Sequence, residues 1–481
     1  MKRTKTTLSI LALSASLTAA CGTTPPPVTV DPDTDKDPKI DLEEPDEEAR
    51  ADFEAAYAAY AAAEADGALS ESECSALTAQ FNEVYDKHPN SMIVARFNAG
   101  VIHESCGQLD EAVAVYTQLA DAGFHLALNN LGVIEWERGN VEAALALFDR
   151  SVKADEVQAF AARNNLAAVH RDRYASKLES MDFATAEKEI QNVLAVDTSN
   201  KAAYENLARL YYDRGRLEDT SYLVLANLVV TQAMRVLEKD GRQSAALWNL
   251  EGLLYMEDDN QVDALKAFKK AVEIDPSHPD ANRNIGFIAI RFRDYEGAVT
   301  AFDLALRDAA VKRDVEVYLA MGVAKRGLKA YDEAESWYRQ AMDIDKQDPR
   351  PWYNLAVLNQ DHLIGAGEVE VEQIKAFYNI AKDHCAKFNK MAEGDKRYAS
   401  AVEDCLDRMA IVDDALYTFD EMKRIQEEAD RIAELERIAE LERREELRKL
   451  EEQAMAAGEP SPSELADQAE AEAEAAESTE D

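Results

Sequence analysis

The stretch NNLGVIEWERG, residues 129–139, carries a glycine inside an apolar, helix-like run. Glycine in a helix interior costs about 0.5–1 kcal/mol relative to alanine. Gly132 therefore needs a compensating contact or a function. Working outward, Ala144 follows twelve residues later and Phe148 four after that. The same spacing joins Gly100, Ala112 and Tyr116; Gly252, Ala264 and Phe268; Gly286, Ala298 and Phe302; and Gly322, Ala334 and Tyr338. Five such copies mark an internal repeat, and the steps Gly252 to Gly286 and Gly322 to Ala356 are each 34 residues. A phosphate-cradling glycine loop would need a strand before it and further glycines around it, and the sequence offers neither. The repeat points to packing: small residues let paired antiparallel helices approach closely, and the aromatic fills space toward the next repeat.

Residues 245–278 give the fullest copy, with Trp248, Gly252, Tyr255, Ala264, Phe268, Ala271 and Pro276 in register. This copy resembles the tetratricopeptide repeat, a helix–turn–helix unit that stacks into a superhelix. Looser copies place Ala167 and Ala208 at the small-residue position, and Trp352, Leu355 and Ala356 begin another. Helices or turns are expected to lengthen near 174–182 and 219–240, where the steps exceed the repeat length. Phe81, Tyr85 and Pro89 mark a divergent first repeat. The fold class read from this is all-α, an αα superhelix of about eight to nine repeats over residues 50–412, its last part (360–412) forming capping helices. Composition agrees: glycine (18) and proline (13) are scarce, and 47% of residues are hydrophobic.

The resemblance implies a groove lined by the first helix of each repeat. Its positions fall on Val94, Phe97, Val101, Asn129, Val133, Trp136, Asn249, Leu253, Met256, Arg283, Phe287, Arg291, Arg326, Tyr353 and Gln360. Mixed apolar, amide and charged groups suit an extended peptide or an amphipathic helix, with Trp136, Phe287 and Tyr353 as anchors. The two-lysine carboxylate clamp of some cochaperones is absent. Asparagine stands two before the small residue at 98, 130, 165, 206, 284 and 354. Bonding to a neighbouring helix, or lining the groove, is the simplest reading of that row.

The first residues read as an export signal. Lys2, Arg3 and Lys5 precede a short apolar run, Leu8 to Leu17, and LTAAC ends at Cys21. This resembles a bacterial lipoprotein signal at residues 1–20, although Thr18 stands where that family prefers leucine. The resemblance implies a lipidated Cys21, with Gly22 after it directing the protein to the outer membrane, facing the periplasm. A cleaved secretion signal is the alternative. Residues 21–49 form an acidic, proline-rich tether. Of the remaining cysteines, closeness in sequence favours Cys74 with Cys106 and Cys385 with Cys405, with buried free thiols as the alternative.

Residues 413–457 change character. Arg431 to Gln453 repeat RIAELE, and Glu427–Arg431, Glu440–Arg444 and Glu445–Lys449 have the favourable i,i+4 order. A projecting charged helix or a coiled-coil arm is expected. Residues 458–481 read as an acidic disordered tail.

The formal net charge of −41 excludes nucleic acid as a partner, since no basic cluster displaces counterions. Seven histidines stand isolated, and no metal, nucleotide or hydrolase motif occurs. No cofactor, metal or enzymatic activity is expected. The function read from the sequence is a lipid-anchored scaffold that binds other envelope proteins, with its oligomeric state open. SLTAACGTTPPP (16–27), the acidic tether and the repeats together resemble the adventurous-gliding-motility tetratricopeptide lipoproteins of myxobacteria. That implies membership of a gliding motility complex. A secretin, pilus or barrel assembly factor, and a regulator or enzyme of the cell wall, are the alternatives.

Overall fold

The computed structural model describes residues 43–65, 68–364, 370–460 and 462–477. Cys21, the signal and most of the tether lie outside them. Helices joined by short turns make up the described residues, with no strand among them.

Two compact units divide the chain, residues 1–288 and 289–481. In the first, helices pair as antiparallel hairpins. These are α1 (Glu47–Ala65) with α2 (Glu71–Lys87), α3 (Ile93–Ser105) with α4 (Leu109–Asp121), and α5 (His125–Glu137) with α6 (Val141–Ala154). Then come α7 (Phe160–Lys177) with α8 (Ser180–Val196), α9 (Lys201–Leu217) with α10 (Ser221–Lys239), and α11 (Ala245–Glu257) with α12 (Gln261–Ile274). The first unit ends within α13 (Pro279–Arg291). Successive first helices also pack side by side: α5 on α7, α7 on α9, and α9 on α11. The expected lengthening lies in the helices themselves, since α7 has 18 residues and α10 has 19, against 13 in α5 and α11.

The second unit contains α14 (Tyr295–Ala305), the hairpin of α15 (Val315–Gly327) and α16 (Tyr331–Ile344), then α17 (Arg350–Val357). A π-helical turn, Leu358–Leu363, continues α17. The chain finishes with α18 (Val371–Met391), α19 (Ala399–Ala457) and α20 (Pro462–Glu477).

Four of the five repeat glycines touch an aromatic ring of their own repeat. A Cβ on Gly132 would lie 2.5 Å from Phe148 Cε1, on Gly252 2.5 Å from Phe268 Cε1, and on Gly100 2.7 Å from Tyr116 Cε1. Gly322 faces Tyr338 in the same way. All four rings are fully buried. The aromatic reaches the next repeat as expected, Phe148 clustering with Ala162 and Leu166 of α7 and Tyr338 with Leu355 of α17. It also lies over the glycine sixteen residues before it, because the hairpin folds the second helix back along the first. The missing Cβ is the space that the ring occupies.

Seven residues after each of the five repeat glycines the chain turns through positive φ: Gly107 (74°), Gly139 (85°), Asp259 (54°), Arg293 (59°) and Lys329 (61°). Glycine fits that conformation at no cost, and other L-residues are strained there. Caps fix other helix starts. Ser70 and Glu73 form a capping box on α2, and Asn200, Ser244, Asn260 and Asp314 accept bonds at the starts of α9, α11, α12 and α15.

Two boundaries differ from the sequence reading. The last part of the capping segment, from Ala399, and the charged arm are one helix, α19, of 59 residues and roughly 88 Å. No glycine or proline interrupts it until Gly458, which caps it in the left-handed conformation. Beyond Cys405 and Val412 no residue of α19 is buried, and ion pairs line its surface, including Arg444–Glu440 and Lys449–Glu445. Arg431 pairs one turn away with Glu428 instead of with Glu427. Residues 462–477, read as disordered, are helical: Pro462 opens a stretch of alanine, glutamate and glutamine, all good helix formers but proline, which suits a first position.

Candidate partner-binding face

The asparagine row is a ladder between neighbouring first helices. Asn165 Nδ2 on α7 donates to Asn129 Oδ1 on α5 (2.9 Å), and Asn206 Nδ2 on α9 to the Asn164 carbonyl on α7 (2.9 Å). Asn284 Nδ2 on α13 donates to Asn249 Oδ1 on α11 (3.0 Å). Arg171, itself 5% exposed, joins the ladder by donating to Asn206 Oδ1 at 3.1 Å. Buried amides must find partners, and a fixed place in each repeat sets these three row asparagines against the residue one place before the row position in the preceding repeat. Asn354 instead bonds the Arg350 carbonyl of its own helix, and no bond satisfies the side chain of the fully buried Asn98.

Polar groups extend this strip on α9 and α11. Arg209 pairs with Asp213 (2.8 Å), and the Tyr212 hydroxyl donates to Glu257 (2.9 Å). Burial first, then Glu257, holds the Tyr212 phenol well above its ordinary range. Arg171, Arg209 and Tyr212 escaped the sequence reading, because only a fixed repeat position singled residues out.

The residues assigned to the groove separate into three groups. Phe97, Val101, Asn129, Val133 and Asn249 are buried inside the stack and present no surface. The position three before the glycine is closed at Phe97, Asn129, Asn249 and Leu319 alike, and only Arg283 is half-exposed there. The next first helix covers that position, which a rule drawn from single repeats does not register. Val94 and Trp136 are half-buried against core clusters, Trp136 meeting the Phe148 ring edge-on at 6.4 Å.

The second group is taken up by the chain's own α19. The Tyr353 hydroxyl donates to Asp404 Oδ2 (3.0 Å), and Gln360 exchanges bonds with the carbonyl (3.5 Å) and guanidinium (3.4 Å) of Arg408. Arg408 also reaches both oxygens of Asp361 at 2.9 Å. Burial and Asp404 raise the Tyr353 phenol. These positions serve a capping contact, which corrects their assignment to a partner.

The third group remains accessible. Leu253 and Met256 on α11 are half-buried against core clusters, as Val94 and Trp136 are, and Arg283 and Phe287 on α13 are half-buried, with the Arg283 guanidinium 5.5 Å from the centre of the Phe287 ring. The Asn249–Asn284 bond holds these two helices in register. In the second unit Arg326 is half-buried and Arg291 exposed. Burial, then the Arg326 charge, lowers the His362 pKa.

Cys74 is joined to Cys106 and Cys385 to Cys405, with Cα atoms 6.3 and 5.2 Å apart. The first bridge ties α2 to the end of α3, the second α18 to α19. His384, beside Cys385, packs against the Trp352 ring at 5.4 Å. Among the described residues no helix is long and apolar enough to cross a membrane, and no three His, Cys, Asp or Glu side chains gather as a metal site.

Stacked hairpins, four of them with a glycine under a buried ring, and a shared first-helix ladder define an α-solenoid. Tetratricopeptide repeat profiles match residues 97–159, 176–219, 285–349 and 245–278, so the chain carries tetratricopeptide repeats. The BBSome complex member BBS4 of Xenopus tropicalis is 27% identical over 140 residues, 29% of this chain and 27% of that protein. Tetratricopeptide repeat protein 14 of Mus musculus is 28% identical over 114 residues, 22% of this chain and 15% of that one. The chain thus spans well under a third of either relative. Among solved structures, pilF of Pseudomonas aeruginosa aligns with 47% of this chain and 93% of its own at 19% identity and a TM-score of 0.36.

Proposed function

We propose that this protein is a lipid-anchored scaffold of the cell envelope that holds protein segments against the first helices of its repeats, as a component of a gliding motility complex. The observation that carries the binding reading is the accessible set on α11 and α13. Leu253, Met256 and Phe287 offer an apolar floor beside the Arg283 guanidinium. An amphipathic helix or extended peptide with an apolar face and an acidic flank fits such a surface. The envelope and gliding assignments rest on the LTAAC signal, the acidic tether and their layout with the repeats.

Two experiments test this. Proximity labelling in the native cell with Phe287→Ala and Arg283→Ala should lose gliding-complex proteins while the purified variant keeps its helical signal. Capture of secretin or pilus subunits, or of wall hydrolases, would replace the gliding reading. Cys21→Ala should move the protein from the outer-membrane fraction to the soluble periplasm, and unchanged fractionation would refute the anchor.

A further inference from the structure

The second helix of one hairpin differs from the others. α10 buries Ala226, Val230, Ala233 and Leu237 against its neighbours, and its solvent side exposes Val224 (64%), Leu225 (40%) and Leu228 (60%). From Ser221 to Met234 it has no charged residue, in a chain where 31% of residues are charged. On α12, by contrast, the exposed Val262 shares the helix surface with Lys266, Lys269, Lys270 and Glu273. The start of α10 is held firmly: the Arg214 guanidinium sits 4.2 Å from the Phe183 ring and 4.3 Å from the Tyr222 ring.

We propose that this face of α10 is a self-association surface, on which a second copy of the chain docks with its own α10 antiparallel. Charge selects the occupant. Each copy carries −41, so two copies meet most easily where both are uncharged. The ends of the helix then complement each other. Asp219 lies exposed just before α10, and Arg235 and Lys239 lie exposed in its last turns. A two-fold axis at Leu228 sets Val224 opposite Gln232, and brings Arg235 of each copy beside the Ser221 and Asp219 end of the other. This isologous arrangement satisfies both ends at once. The helix dipoles, running antiparallel, favour it too. A basic partner would gain little from a face whose middle, Ser221 to Met234, carries no acidic group and whose far end carries Arg235 and Lys239. An anionic membrane surface would meet Asp219 along with Arg235. One helix face roughly 28 Å long buries less than a standard interface, so the dimer is weak and forms at micromolar concentration. The surface lies on a second helix of its hairpin, leaving the α11 and α13 binding face to other proteins.

The test uses the full chain purified in mild detergent. Sedimentation velocity over a micromolar concentration series should show a reversible dimer. Leu228→Glu should weaken association at least tenfold with an unchanged circular dichroism spectrum. As a second readout that tolerates the native side chains around it, a short bismaleimide should cross-link Leu228→Cys to itself, and should not cross-link Val262→Cys on α12. A chain that stays monomeric across the series, or a dimer that Leu228→Glu leaves intact, would overturn the proposal. So would a monomer that binds phosphatidylcholine vesicles through Leu228, which would give the face to lipid.

Discussion

Replacing Gly252 by alanine sets two effects against each other, and the structure decides between them. Alanine favours the helix by about 0.8–1.0 kcal/mol relative to glycine. Its Cβ, however, would stand 2.5, 2.6 and 2.9 Å from Cε1, Cδ1 and Cζ of Phe268. That ring is fully buried and Ala264 and Ile288 belong to the same cluster, so it has nowhere to retreat. Forcing extra atoms into a packed core costs about 1–3 kcal/mol. Gly252→Ala should therefore be destabilised by a net of about 0–2 kcal/mol, and Gly252→Leu by more, as the larger chain meets the same ring. Phe268→Ala alone should cost about 3–5 kcal/mol through the cavity it leaves. In the double variant Gly252→Leu with Phe268→Ala, the leucine enters that cavity, so the combined loss should fall below the sum of the single losses by more than 1 kcal/mol. Urea unfolding followed by circular dichroism at 222 nm measures all four corners of the cycle. Additive losses, or a Gly252→Ala protein that melts higher than the parent, would refute the argument that the glycine exists to seat the ring.

Further expectations concern the turns, the bridges and the histidines. Lys329→Gly should raise stability by about 1 kcal/mol, since Lys329 holds φ at 61° and glycine adopts that conformation without strain; the thermal midpoint measures it. Replacing Cys385 and Cys405 together by serine should cost about 3 kcal/mol, because their 20-residue separation closes a loop that the unfolded chain otherwise explores; dithiothreitol should lower the parent's midpoint and leave that of a variant lacking all four cysteines unchanged. Burial lowers the pKa of His125, His362 and His384 below the ordinary 6.5. The unfolded chain therefore binds protons there first as pH falls through that value, and stability drops with it. Comparing unfolding at about pH 7.5 and 5.5, a variant with all three replaced by glutamine should lose less stability than the parent over the same interval.

The sequence alone determined the repeat. Gly132, Ala144 and Phe148 recur at one spacing because each hairpin closes locally, between helices that follow one another in the chain, and local closure leaves its mark at fixed intervals. The asparagine row was visible because it too recurs at a fixed place in the repeat, although its bonds run between repeats. Contacts between repeats decided the rest. Phe97, Val101, Asn129 and Val133 occupy positions that one repeat alone would leave open, and the adjacent first helices bury them. Leu253 and Phe287, at the same place as Val133 in their repeats, stay half-exposed because their neighbours differ. Tyr353 and Gln360 meet Asp404 and Arg408 only because α19 returns across α17 from far along the chain. Which face is free to bind depends on what lies against it, and exposure is a property of the packed assembly that no residue's own position encodes.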